Sequence, residues 1–133
     1  MAKVTVGGNV FGYPMPVAVV GALNEGTANF MTAAWFTRAN MAPPIVAVAL
    51  GKDHFTVAGI RSYKTFSLNI PGQDLVQAVD YCGLVSGRDI DKSDVFEVFY
   101  GVLGTAPMVA QCPLCMECKV IDTGPLGVDV LVL

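Results

Sequence analysis

The stretch Val17–Phe36, "VAVVGALNEGTANFMTAAWF", decides the fold. Its first arm, Val17–Leu23, is short and rich in β-branched residues. It runs into Asn24-Glu25-Gly26, a turn triplet whose glycine can take a positive φ. Thr27–Phe36 then returns, so the stretch reads as a β-hairpin. The second arm is an odd piece of apolar strand: it carries Asn29, Thr32, the adjacent small pair Ala33-Ala34 and the chain's single Trp, at position 35. The mixture raises the question of what the strand is held against; on the residues alone, Trp35 reads as a core residue in a strand.

The chain outward from the hairpin is a series of short elements. Pro43-Pro44 breaks it and sets up Ile45–Leu50, "IVAVAL", predicted as a third strand buried on both faces. A short helix is expected next, with Thr56 at the capping position, Val57 and Ile60 at helical spacing, and Arg61 and Lys64 near its end. Phe66–Ile70 is a strand stopped by Pro71-Gly72, Asp74–Tyr81 a second short helix, and Ser86–Ser93 a polar loop. Cys118–Asp122 and Val128–Leu133 are two later strands, separated by Thr123–Gly127. The terminal "GVDVLVL" reads as an open apolar edge in need of cover. Many short strands with brief helices point to a mainly β single domain over residues 1–133, a β-barrel with helical excursions.

The 133 residues are 53% hydrophobic and only 14% charged, with a mean hydropathy of +0.56. A small monomer has too little interior to hide that much apolar side chain, so either a membrane or a partner subunit is implied. The uncharged windows Val4–Asn24, Ala39–Gly51 and Val98–Met116 are each interrupted by Pro or Gly, unlike a spanning helix. The N-terminus has one lysine and no continuous apolar core, unlike a secretory signal. A cytoplasmic oligomer is therefore expected, with no membrane partner. A net charge of −3 and no Lys/Arg cluster argue against a nucleic-acid partner.

Three groups of residues invite a chemical reading. Val19–Asn29 is glycine-containing but lacks the G-x-G-x-x-G spacing and a following long helix, so a dinucleotide turn is not supported. Cys112, Cys115 and Cys118 have the spacing of cluster ligands. In extended chain, however, alternation places Cys112 and Cys118 on one face and Cys115 on the other. That opposes a metal site unless Pro113 bends the chain, and partly buried ordinary thiols are expected. Gly51–Thr56, "GKDHFT", lies between a strand and a helix. Its backbone N–H groups and the Thr56 hydroxyl suit a phosphate, with Lys52 and the lone His54 beside it. Lys92 is a second candidate for the phosphate; each of these features is also what an ordinary capped helix or surface lysine would show.

The ordered set "ANFMTAAWF", "APPIVAVAL", "GKDHFT", "FSLNIPG", "YCGLVSGRDIDKS" and "CPLCMECKV" resembles the flavin reductase-like, FMN-binding split-barrel family, and within it the flavoredoxin branch. The resemblance spans the chain from about Tyr13 onward. It implies a Greek-key split β-barrel, homodimeric, holding FMN non-covalently. By that resemblance Asn29, Thr32, Ala33, Ala34 and Trp35 line the flavin, Lys52, Phe55 and Thr56 lie at its ribityl-phosphate end, and Lys92 reaches the phosphate. The implied activity is electron transfer through the flavin, fed by a redox protein or a nicotinamide. The alternatives are an NAD(P)H-dependent flavin reductase and a non-catalytic flavin-binding module; an iron–sulfur carrier is a further rival. Relatives generally continue beyond the point where this chain stops, so the resemblance also implies a shortened C-terminal part.

Overall fold

The computed structural model describes residues 1–9, 12–124 and, in their backbone pairing, 128–132. The hairpin forms as expected. β1 (Ala18–Asn24) and β2 (Thr27–Ala33) run antiparallel from Ala18 opposite Ala33 to Asn24 opposite Thr27. Glu25 (φ 50°) and Gly26 (φ 81°) both take positive φ, the turn geometry that matches the twist of a tight hairpin. The second arm is shorter than predicted. It ends at Ala33; Ala34-Trp35 is a break, and β3 (Phe36–Asn40) continues into a different sheet. The Trp35 carbonyl fixes the bend by accepting the Ala49 N–H at 2.8 Å.

β4 (Ile45–Gly51) pairs with β3, and its expected two-sided burial is corrected. Val48 and Leu50 are buried, whereas Ile45, Ala47 and Ala49 on the alternate face are half-buried. An uninterrupted apolar run gives both faces the same look; only the sheet's position over one core separates them. α1 (Phe55–Tyr63) follows, capped by His54 rather than Thr56. Thr56 is the second helical residue, and its hydroxyl is engaged by Asn29 instead. Lys64, in a left-handed conformation (φ 58°), ends the helix by donating its N–H to the Ile60 carbonyl at 2.8 Å.

β5 (Thr65–Ile70) is central and buried over its first five residues. A short 3-10 turn, Gln73–Leu75, leads into α2 (Val76–Leu84), which runs later than predicted. β6 (Val98–Phe99) and β7 (Met108–Val109) form a small ribbon with too few residues to show a period in sequence. β8 (Leu114–Lys119) starts four residues before the predicted strand because it pairs along all of β5, from Ile70 opposite Leu114 to Thr65 opposite Lys119. β9 (Asp122–Thr123) and β10 (Val128–Val132) complete the chain. Pro125–Gly127 and Leu133, part of the predicted linker and last strand, lie outside the described residues.

Two antiparallel sheets result, in the orders β2-β1-β5-β8 and β3-β4-β10-β9. They are joined by the bend between β2 and β3, the split β-barrel that the residue order implied. β10 is not the open edge its composition suggested: it lies between β4 and β9, although β9 pairs only with Leu131 and Val132. The first sheet carries apolar clusters on both faces. Val20, Leu68, Phe66, Val48, Leu50, Val57 and Ile60 pack on one side. Val19, Phe30, Val79, Phe96 and Val109 pack on the other. There Phe30 and Phe96 meet edge to face at 5.2 Å.

Polar contacts and one glycine set how the helices and the ribbon sit on this sheet. Asn69 is fully buried; its Nδ2 donates to the Val19 carbonyl at 3.0 Å and its Oδ1 accepts the Val109 N–H at 3.1 Å, pinning the ribbon to the sheet. Gly59, on the buried face of α1, lets the helix rest directly on β1, since a Cβ there would stand 2.1 Å from the Leu23 carbonyl oxygen. The helix start is tied to the hairpin turn as well, Asn24 Nδ2 donating to the Phe55 carbonyl at 2.9 Å. Gly59→Ala gains about 1 kcal/mol of helix propensity but forces helix and strand apart, which costs about 1–3 kcal/mol or more. A net loss of stability is expected, read as a lower urea midpoint; an unchanged or raised midpoint would refute the close packing.

Candidate functional site

β2 is the edge strand of its sheet, so one side of its backbone is left without a ladder partner. α1 approaches that edge from one face and α2, with the loop after it, from the other. The result is a groove along β2 in three connected stretches. The first, about 320 Å³, is lined by Met31–Trp35, Ala49–Gly51 and His54. The second, about 230 Å³, shares Met31, Thr32 and His54 and adds Phe55, Thr56, Cys82–Gly87 and Lys92. The third, about 290 Å³, adds Asn24, Glu25, Thr27–Asn29 and Arg88–Asp91 to Phe55, Gly87 and Lys92. The larger cavity of about 630 Å³ lies elsewhere, between the β3–β4 turn and β8, and is lined largely by apolar residues such as Pro43, Pro44, Ile45 and Met116. The groove has the convergent polar groups that orient a ligand, so the chemistry belongs there.

Eight of the nine residues singled out from sequence line this groove. Ala33, Ala34 and Trp35 wall the first stretch, and Trp35 is 48% exposed, hence not a core residue. Thr32 lies at the junction; its hydroxyl donates to the Val79 carbonyl, which ties β2 to α2. Phe55, Thr56 and Lys92 line the second stretch. Asn29 lines the third stretch. It is buried, and its Nδ2 donates to Thr56 Oγ1 at 2.6 Å, so it orients Thr56 instead of facing the first stretch. Lys52 is the exception: it is exposed in the turn after β4 and lines none of the three stretches.

Lys92 is the unexpected feature. A lysine in a polar loop reads as a surface residue, yet this one is 3% exposed. Its Nζ donates to the Val85 carbonyl at 2.8 Å and to the Cys82 carbonyl at 3.4 Å, and among the described residues no carboxylate is its partner. Burial pushes its pKa below the ordinary lysine range, with the neighbouring Cys82 thiol acting the other way. Burial likewise raises the Cys82 thiol, offset in part by Lys92. The first turn of α1, opposite Lys92 across the second stretch, holds no acidic residue. A buried ammonium and an uncompensated helix N-terminus thus line one small space, an arrangement that favours an anion.

Sequence reading passed over Gly83, Ser86 and Gly87. Gly87 in particular has no room for a side chain: a Cβ would stand 2.2 Å from Asn29 Oδ1 and 2.5 Å from Phe55 Cδ1. The loop carrying Lys92 is pressed against β2 and α1 at that point. The signal was the glycine inside the polar run "SGRD", which marks close backbone approach only once a neighbour is known.

The cysteines divide between the two apolar clusters. All four are free, and among the described residues no group of His, Cys, Asp and Glu could hold a metal ion. The expected alternation is corrected for Cys112, which precedes β8 in a turn and packs in the same cluster as Cys115, while Cys118 faces the other cluster. Burial pushes Cys118 up to about 12, aided by Glu117, and Cys112 up to about 11, aided by Cys115 and Asp74.

The chain matches the model of the flavin reductase like domain over residues 10–133. Among solved structures it is similar to flavoredoxin from Methanosarcina acetivorans, with a TM-score of 0.96 and 45% identity, covering 99% of this chain and 72% of that one. It is also similar to an FMN-binding protein from Thermus thermophilus solved with bound 1-cyclohex-2-enone, with a TM-score of 0.87, 27% identity and coverage of 99% and 76%. An uncharacterized protein of Aeropyrum pernix is 32% identical over 119 residues, which is 86% of this chain and 45% of that protein. The chain spans about half the length of the curated relatives it matches.

Two outcomes are expected from the geometry. Gly87→Ala should displace the Lys92 loop and loosen the Asn29–Thr56 bond, costing about 1–3 kcal/mol by overpacking; full retention of stability in thermal melts would contradict the contact. The folded chain holds the Cys112 and Cys118 protons more tightly than the unfolded chain, whose thiols titrate near the ordinary value. Their contribution is therefore fully present below the ordinary thiol range and lost as pH rises towards about 11–12. Denaturation midpoints should fall above about pH 9, with a shallower fall in Cys118→Ala.

Proposed function

This chain belongs to the flavin reductase-like family, and on that premise we propose that it holds FMN along the β2 groove and passes electrons through it as a flavoredoxin-type carrier. The observation that carries the proposal is Lys92, a buried ammonium that has only carbonyl partners among the described residues and lines the same space as the α1 N-terminus. A dianionic phosphate supplies the counter-charge this space lacks, and burying the ammonium becomes less costly once it is paired.

The residues present fit such a group. Lys92, Thr56 and the first-turn amides of α1 would hold the phosphate. Thr32 and the unladdered backbone edge of β2 would meet the polar atoms of the ribityl chain and ring. Ala33 and Ala34 leave space for a flat ring to approach the backbone, and the exposed Trp35 offers it an aromatic wall. When bound, the flavin accepts and releases the electrons. The chain's own work is to bind it, orient it and shield one side of it. Asn29 does part of this at one remove, because its amide presets the Thr56 hydroxyl. Within the same proposal the protein works as a homodimer in the cytoplasm, where four unpaired thiols stay reduced. A redox protein is the preferred electron donor, since the sequence has no nicotinamide fingerprint.

Purified protein reconstituted with FMN should be yellow and quench flavin fluorescence on titration. Thr56→Ala should weaken FMN binding by about 1–2 kcal/mol, the worth of a hydrogen bond to a charged group, and Lys92→Met by at least as much. Unchanged affinity in both variants would overturn the phosphate assignment. In stopped-flow mixing, reduction by NADH or NADPH should be slow; fast turnover with either would replace the carrier by a flavin reductase.

A further inference from the structure

α2 turns one side to the sheet and leaves the other open. Val79 and Cys82 face inward and are buried. Val76, Asp80 and Leu84, spaced four residues apart, share the outer face, and Tyr81 stands beside them. Val76 and Leu84 are 64% and 78% exposed and Tyr81 39%. Large apolar side chains scattered singly on a surface need no explanation, but three on one side of a short helix form a patch, and patches mark contact surfaces.

The surroundings of this face are acidic. Asp80 stands within it, Asp74 just before α2, and Asp89 and Asp91 in the loop that leaves its C-terminal end, all exposed. Asp91 accepts the Ser93 N–H at 2.8 Å, which holds its carboxyl below the usual carboxylate range and so keeps it ionised. Arg88 is the exposed cation of this segment, because Lys92 is buried. The face also meets the groove. Leu84 lines the second stretch together with Cys82 and Gly83, and Asp89 and Asp91 line the third. A protein seated on α2 therefore reaches the rim of the space assigned above to FMN.

We propose that the outer face of α2 is the docking surface for the electron-donor protein, and that the donor presents there an apolar surface with a lysine or arginine at its centre. The inference rests on the FMN-carrier reading of the groove. Contact with Val76, Tyr81 and Leu84 supplies apolar burial. Asp80 selects for the cation and, with the carboxylates near it, speeds encounter with a basic partner. A second copy of this chain fits the face poorly. A two-fold contact is self-complementary, and Asp80 is the middle residue of α2. An axis through the middle of the helix would set Asp80 against its own copy, like charge against like.

The test uses the full chain, isotope-labelled and loaded with FMN, titrated by NMR with mitochondrial cytochrome c as a basic binding probe. At about 20 mM salt, where charges are weakly screened, the amides of residues 76–84 should shift or broaden. The Kd from the same titration should rise about tenfold in Asp80→Lys and about threefold in Val76→Ser. Asp122→Lys makes the same change of net charge on β9 and should raise it less than about twofold. FMN affinity, read by fluorescence, should be unchanged in all three variants. Shifts centred away from α2, or equal weakening by Asp80→Lys and Asp122→Lys, would overturn the inference, and normal FMN binding beside such a result would leave the FMN reading intact. Sedimentation showing a native dimer that Val76→Ser splits would also overturn it, by making this face the contact between copies. A native chain that docks the probe through α2 yet binds no FMN keeps the docking surface and refutes the FMN reading.

Discussion

Three segments far apart in sequence converge on one buried hydrogen bond, from Asn29 Nδ2 to Thr56 Oγ1. β2 brings the donor, α1 the acceptor, and the loop after α2 closes over the pair with Gly87 in contact with both Asn29 and Phe55. The bond is short and shielded, so it is worth more here than at a surface. It also explains why an amide stands in the middle of an apolar strand. Without it, Thr56 would be one more hydroxyl in a first helical turn, free to choose its partner.

That convergence depends in turn on how closely the helix can approach the sheet. Gly59 against the Leu23 carbonyl and Gly87 against Asn29 are two places where backbone replaces side chain as the packing surface. Each brings a polar group nearer to β2 than ordinary side-chain packing permits. The groove is thus built from an unladdered strand edge, a helix N-terminus and a buried lysine, all held at short range by glycines and by an amide.

The electrostatics divide along the same line. At one end of the groove Lys92 is buried, is paired with carbonyls and carries a pKa depressed by burial. At the other, His54 stands exposed beside Gly51. The cysteines, by contrast, have thiols raised by burial and take the part of small apolar residues, although Cys112 and Cys115 share a cluster that alternation in extended chain would have split.

The sequence by itself determined the hairpin, because β-branched residues flank a turn triplet whose backbone needs are local. With the family resemblance it also singled out Thr32, Ala33, Ala34, Trp35 and Thr56, which the structure brings to one groove along β2 and the start of α1. What it could not determine were facts of approach and order. Ile45–Leu50 looked buried on both faces because apolarity is blind to which side carries a core. "GVDVLVL" looked like an edge because pairing between distant strands leaves no local mark. Lys92 looked solvated, and Thr56 looked like a cap, because neither the loop's descent onto β2 nor the Asn29 amide is encoded within a few residues of them. Only the tertiary structure decided those, since burial and hydrogen-bond partners there are set by chain segments 27 residues away, as for Asn29 and Thr56, or more.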